Sequence, residues 1–149
     1  MEKGNRPKVG IGIYIIRDGK VLMGLRQGSH GPDTWCPPGG HLEYGESWEA
    51  CARREALEEC GLEMGAPIFF AATNDVYESE GKHYVTIFLI AEYVGGEAKR
   101  LEPEKCKEWR WFSWNELPDN LFLPVTHIKE QGLDPTKPLK ASGFDSTTI

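Results

Sequence analysis

Three glutamates, Glu55, Glu58 and Glu59, are spaced so that at 3.6 residues per turn their carboxylates share one helical face about 100° wide. Left to itself, such a face is unfavourable. Glu55 repels each later glutamate by roughly 0.2–0.5 kcal/mol, and all three sit towards the helix C-terminus, where the macrodipole opposes anions by a further ~0.3–1 kcal/mol each. A solvated acidic surface helix tolerates this cost. A divalent cation would remove it, because clustered hard oxygens are the ligands that Mg²⁺ or Mn²⁺ takes. The face therefore reads as a metal site made by Glu55, Glu58 and Glu59. Arg54, one turn before Glu58, is placed to hold a carboxylate through a two-pronged, charge-assisted contact and to orient the ligands without being one.

The element that must carry these groups runs from Ser47, a suitable N-cap, to Gly61, a suitable C′ residue. Its other side carries Ala52, Ala56, Cys60 and Leu57, mostly small residues that suit close packing on a sheet. Upstream lies TWCPPGG, in which two prolines stiffen the chain and two glycines let backbone approach a ligand closely.

With Gly40, Glu46, Arg54, Glu55, Glu58, Glu59, Gly61 and Leu62 in register, the stretch resembles the Nudix box, G-x5-E-x7-R-E-U-x-E-E-x-G-U, where U is a bulky aliphatic residue. Eight of its nine defined positions match, and Ala56 is the departure. A pattern this long, with this many charged positions, is a specific signal. Similarity to the MutT-like nucleoside triphosphate diphosphatase branch continues through PPGGHLEYGE, HYVTIF, EPEKC, LPDNLF and KEQGLDP, from about Val9 to Pro135.

The resemblance implies an α/β/α sandwich with a central mixed β-sheet between helices. It implies hydrolysis of a nucleoside triphosphate to the monophosphate and pyrophosphate, with Mg²⁺ (or Mn²⁺) as cofactor. The carbonyl of Gly40 would join Glu55, Glu58 and Glu59 on the metal. Glu58, Glu59 and Arg54 would be catalytic together with Glu104 as general base, Glu102 being the alternative. Glu46 would either support the loop or bind metal through water. His41, Thr86, Phe122 and Leu123 match base-pocket positions, although core packing suits Phe122 and Leu123 and a structural hydrogen bond suits His41. Cys36 and Pro37 depart from the branch, so no base preference carries over. Dinucleotides or nucleotide sugars would use the same box, and a non-catalytic binding module is the reading that an intact set of box glutamates opposes.

Composition sets independent bounds. A chain of 149 residues, 40% of them hydrophobic, suits one domain over 1–149, with 1–8 and about 138–149 as flexible ends. A formal charge of −6 opposes a nucleic-acid-binding surface, so metal and a few cations must neutralise a phosphorylated substrate locally. The four cysteines show neither C-x-x-C nor zinc spacing, which suits a reduced, cytoplasmic protein. The first apolar run, Val9 to Ile16, is too short for a signal or a membrane span.

The remaining chain reads as strands. Val9–Ile16 and Lys20–Arg26 flank Asp18-Gly19, a hairpin signal. Arg26 ends that hairpin where a cation could meet phosphate or simply face solvent, and it stays outside the site. Ile68–Val76 and His83–Val94 form a second hairpin across a polar turn, and Glu108–Ser113 a further strand. A short helical turn is expected at Trp114–Leu117 and a helix from about Val125 to Gln131. Trp109, Trp111, Phe112, Trp114, Phe122 and Leu123 are many bulky groups for a small domain to bury, and an exposed patch among them would suit the homodimer common in the branch.

Overall fold

The first strand is apolar on both of its faces, and that two-sided burial sets the layers. In the computed structural model, which describes residues 5–137, β1 (Lys8–Arg17) turns Ile11, Ile13 and Ile15 to one face and Tyr14 to the other, all at 0–2% exposure. Side chains on a strand have period two, so each face must find its own cover. Helix α1 (Trp48–Cys60) covers the isoleucine face through Cys51, Ala52, Ala56 and Cys60, and α2 (Leu123–Glu130) covers the tyrosine face through Val125 and Ile128.

Among the described residues, the sheet between them has eight strands. The hairpin of β1 and β2 (Lys20–Arg26) turns through Asp18 and Gly19, both at positive φ, as a tight two-residue loop requires. Beside β1, and parallel to it, runs β7 (Lys82–Gly95), with Thr86 opposite Gly10 and Phe88 opposite Gly12. The other pairings are antiparallel, so the sheet is mixed: β6 (Ile68–Tyr77) on β7, β8 (Cys106–Ser113) on β2, and three short strands. Those are β3 (Trp35–Cys36) on β2, β4 (Gly39–His41) on β1 and β5 (Glu63–Met64) on β7. The helices on both faces make the expected α/β/α sandwich.

Two expectations need correction. Leu57 is 59% exposed, because one residue beyond Ala56 turns the side chain by 100° away from the sheet. The late aromatics form no exposed patch: strand alternation sends Trp109 and Trp111 towards the α1 core and Phe112 towards the α2 core, while Trp114 is buried. The exposed apolar side chains lie elsewhere, among them Trp48 and Phe69, whose rings are tilted at 42° with centres 6.0 Å apart. The flexible ends expected at 138–149 and over the first four residues lie outside the described residues. No described helix is long and apolar enough to cross a membrane.

Candidate active site

Local signals fix α1 at both ends. Ser47 caps it by accepting the Ala50 N–H at 3.1 Å, and Gly61, at φ 74°, ends it by donating to the carbonyls of Ala56 and Leu57. The loop 97–105 then folds back on this end, with Lys99 N–H donating to Cys60 O and Leu101 N–H to Glu59 O. Carbonyls that the helix leaves unpaired are thereby satisfied, and Glu102 comes to rest beside Glu59.

Arg54 is the hub of the acidic face. Its guanidinium forks onto Glu46 at 2.7 and 3.0 Å, reaches Glu55 at 3.0 Å and Glu58 at 3.3 Å, and donates to the His41 carbonyl at 3.3 Å. The two-pronged contact thus falls on Glu46, which also accepts the Glu43 N–H at 3.1 Å and so ties the glycine loop to the helix. The Arg54 hydrogen bonds hold the Glu46 carboxyl at about 2. Glu58 is the exposed member of the set.

Glu59 and Glu55 lie against the two glycines of β4. Gly39 N–H donates to Glu59 Oε1 at 2.8 Å, and a β-carbon on Gly40 would stand 2.2 Å from Glu55 Oε2. Burial pushes the Glu59 carboxyl up to about 8; the Gly39 N–H opposes this, and the nearby charges of Glu55 and Glu102 add to it. Burial raises Glu55 as well, against the pull of Arg54. Among the described residues, no three His, Cys, Asp or Glu side chains already converge to hold an ion. Arg54 draws Glu55 and Glu58 to itself while Glu59 turns to Gly39.

Two joined cavities meet at this face. An acidic cleft of about 700 Å³ is bounded by Arg54, Glu55, Glu58, Glu59 and Glu102. A compartment of about 130 Å³ is walled by the rings of His30, Tyr77, Tyr84 and Phe122, with Gly10, Gly12 and Thr86 from the sheet. Arg26, Gly40 and His41 line both. Phe122 is set there because its N–H donates to Trp35 O and the neighbouring Asn120 carbonyl accepts Trp35 N–H, which docks the chain before α2 onto β3. Thr86 donates to Asp75 at 2.8 Å inside a buried group completed by Thr73 and His127.

Of the expected base-pocket residues, His41, Thr86 and Phe122 come together and Leu123 does not: it opens α2, and Pro124 lines the compartment instead. Glu104 is exposed and lines neither cavity. The Glu102 carbonyl accepts from Lys105 and Cys106 N–H, a tight turn that leaves Glu104 outside while Glu102 lines the cleft. Arg26 belongs to the site although the sequence reading left it out. Its Nε donates to the His30 carbonyl at 3.0 Å, and its guanidinium lies 4.2 Å from the Phe122 ring centre. Tyr77, Tyr84 and His30 were also missed. Tyr84 had a signal, since it stands two residues before Thr86 on one strand and so shares its face.

The sequence profile of the NUDIX domain matches residues 6–131. The chain belongs to the NUDIX family. It is 32% identical over 133 aligned positions to an oxidized purine nucleoside triphosphate hydrolase of Danio rerio, covering 81% of this chain and 80% of that protein. It is 29% identical to an ADP-ribose pyrophosphatase of Methanocaldococcus jannaschii, over 83% of this chain and 72% of that one. It is 31% identical to the NAD-capped RNA hydrolase NudC of Stutzerimonas stutzeri over 71% of this chain, and the match spans only 37% of NudC. Among solved structures, a MutT NUDIX hydrolase from Burkholderia pseudomallei superposes with a TM-score of 0.79 at 28% identity, over 87% of this chain and 99% of that one.

NUDIX hydrolases generally use divalent metal ions. The residues here fit such a cation: two carboxylates raised by burial face each other's charge, and the β4 backbone closes on them with no side chain between. The departure at Ala56 concerns packing alone, since Ala56 is fully buried beneath α1 and lets the NUDIX helix approach the sheet closely.

Proposed function

We propose that this NUDIX hydrolase cleaves nucleoside triphosphates to nucleoside monophosphate and pyrophosphate, with Mg²⁺ or Mn²⁺ as cofactor. The observation that supports this reading is the aromatic compartment opening directly onto the acidic cleft, with Arg26, Gly40 and His41 shared between them. A base held among rings leaves its phosphates over the carboxylate face of α1. Glu55, Glu58, Glu59 and the Gly40 carbonyl would hold the metal, which would supply neutralisation of phosphate charge and a bound water of lowered pKa. Arg54 keeps the carboxylates in place, and Arg26 adds fixed positive charge where the two cavities join.

For the general base, position favours Glu102 over Glu104, because Glu102 lines the cleft beside Glu59. The fish relative's name fits a triphosphate substrate. A second reading, a diphosphate joining a nucleoside to another moiety, draws on the about 700 Å³ cleft and on the archaeal relative named ADP-ribose pyrophosphatase.

A panel of nucleoside triphosphates, ADP-ribose and nucleotide sugars in Mg²⁺, with products identified, separates the two. Equimolar monophosphate and pyrophosphate at the highest kcat/KM is the expected outcome. A kcat/KM for ADP-ribose above every triphosphate would move the function to the second reading. In the same assay Glu102→Gln should lower kcat by about 100-fold and Glu104→Gln hardly at all, as general-base loss typically costs this much.

Self-association belongs to the same proposal. Trp48 and Phe69 are 40% and 53% exposed with their ring centres 6.0 Å apart, and a twofold pairing would cover them. Light scattering should give twice the 16.8 kDa chain mass, whereas a fully active species near 16.8 kDa would remove the dimer.

A further inference from the structure

Behind the wall of the base compartment lies a carboxylate that the hydrolytic machinery does not use. Asp75, on β6, is fully buried. Its Oδ2 is met by two hydroxyls, those of Thr73 at 2.9 Å and Thr86 at 2.8 Å, while His127 Nδ1 from α2 stands 2.7 Å from Oδ1. Thr73 and Thr86 are direct cross-strand partners, so one oxygen bridges the pair. That oxygen accepts from both, and a threonine has a single hydroxyl proton to give. Thr86, which lines the compartment, therefore spends its proton on Asp75 and turns only lone pairs towards a ligand.

Strand register places this acceptor at the far end of the compartment. Gly10 of β1 pairs with His41 of β4 on one side and with Thr86 of β7 on the other. Neighbouring strands lie about 4.8 Å apart, so Thr86 is roughly 10 Å from the β4 edge. At that edge Gly40 and His41 line both the compartment and the carboxylate cleft. Gly10 leaves the path open, since even a β-carbon added to it would stand 3.8 Å from Thr86 Oγ1. A nucleotide with its phosphates over α1 has its glycosidic bond towards β4 and carries the opposite edge of its base across Gly10 to Thr86. There cytosine and adenine bear an amino group, uracil and hypoxanthine a carbonyl oxygen. The amino group donates to Thr86, whereas the carbonyl oxygen meets a second acceptor and stays unpaired.

We propose that Asp75 fixes Thr86 as a hydrogen-bond acceptor, so that the enzyme prefers nucleotides with an amino group at that base edge over their carbonyl counterparts, whether the base has one ring or two. This rests on the nucleotide-hydrolysis reading above. Thr86 touches the base, and Asp75 acts through Thr86 as a positioning residue.

The test is kcat/KM for dCTP against dUTP and for dATP against dITP, pairs matched in size, in the wild type, Thr86→Val, Thr86→Ser, Asp75→Ala and Gly10→Ala. The wild type should favour the amino member of each pair by about tenfold or more, because the other member leaves buried acceptors unpaired. Thr86→Val removes the oxygen at nearly constant volume and should bring both ratios to within about twofold of unity, chiefly through KM. Thr86→Ser keeps the hydroxyl and should keep the preference. Asp75→Ala frees the Thr86 proton, so dUTP and dITP should gain in absolute kcat/KM, a change that damage to the fold would not produce. Gly10→Ala leaves the Asp75 group intact, yet its methyl covers Thr86 Oγ1 and should weaken both ratios.

Thermal melts confirm that each variant is folded, and calorimetric affinities for dCMP, dUMP, dAMP and dIMP without metal read the compartment independently of catalysis. Wild-type ratios within about twofold of unity, or ratios unchanged in Thr86→Val, would overturn the inference while leaving triphosphate hydrolysis standing. Wild-type ratios in folded Asp75→Ala would remove Asp75 from it. Tighter dCMP than dUMP binding that is lost in Thr86→Val, with no triphosphate hydrolysed, would support the compartment and refute the hydrolysis reading instead.

Discussion

Glu59→Gln is expected to abolish most turnover and to make the metal-free protein more stable. Losing even an outer-shell partner of a metal ligand lowers activity or affinity by roughly 10–100-fold, so loss of a ligand charge should cost at least the upper end of that range. The fold has no reason to fail, because the amide oxygen of Gln can still accept the Gly39 N–H now received at 2.8 Å. The stability gain comes from the buried charge. Burial lifts the Glu59 carboxyl from 4.5 to about 8, so between those values the folded protein holds a proton that the unfolded chain has released.

By linkage, metal-free wild type then loses stability as pH rises through that window and changes little with this group above it. Each unit of displacement corresponds to about 1.4 kcal/mol. The variant lacks this slope, and its advantage in Tm should be absent near pH 4.5 and grow to a maximum near pH 8. Metal competes with the same proton, so the rise in wild-type Tm on adding Mg²⁺ should also increase across the window. Melting curves of both proteins from pH 5 to 8, with and without millimolar Mg²⁺, check each slope. Near-normal turnover of the variant at saturating Mg²⁺ would sink the assignment of Glu59.

How far the sequence reveals such a site depends on whether the relevant contacts are local. The helix α1 was legible because the positions of Glu55, Glu58 and Glu59 follow its period and because Ser47 and Gly61 carry their own capping chemistry. The two long hairpins were legible from apolar runs on either side of Asp18-Gly19 and of the polar turn after Tyr77. The short strands β3, β4 and β5 were not, since two or three residues have no measurable period and exist only through pairing with β2, β1 and β7.

Glu102 and Glu104 show the same limit within the site. Two residues apart in a loop, they have no repeating geometry to separate them, and only the turn closed by Lys105 and Cys106 N–H does so. Arg26 could be seen as a cation at a strand end, but its contacts with His30 and Phe122 depend on elements that fold around it later in the chain. The late aromatics misled for another reason: bulk alone does not reveal burial, because much of any folded surface is apolar. Their alternation along β8 was the better guide.

The adjacent glycines of β4 should separate fold from function. A β-carbon on Gly39 would stand 2.0 Å from the Ile11 carbonyl oxygen and 2.9 Å from the Gly12 α-carbon, both backbone atoms of β1. No rotamer relieves that contact, and Gly39 is paired with Gly12 in the sheet, so alanine must push β4 off β1. Overpacking of this kind typically costs about 1–3 kcal/mol, and with no side chain able to yield, the upper end applies.

At about 2–4 °C of Tm per kcal/mol for a chain of this size, Gly39→Ala should melt roughly 6–12 °C lower than wild type. Gly40→Ala meets a different obstacle, the Glu55 carboxylate at 2.2–2.7 Å, which is the end of a movable side chain. It should fold with little change in Tm, yet displace Glu55 from the β4 backbone and thereby lose both turnover and the Mg²⁺-induced rise in Tm. Calorimetry with and without Mg²⁺, run beside the hydrolysis assay, measures all three. Full activity and a normal Mg²⁺ response in Gly40→Ala would mean that the position of Glu55 against β4 is irrelevant to the metal, and a Gly39→Ala melting point equal to that of wild type would contradict the β1–β4 pairing on which the site is built.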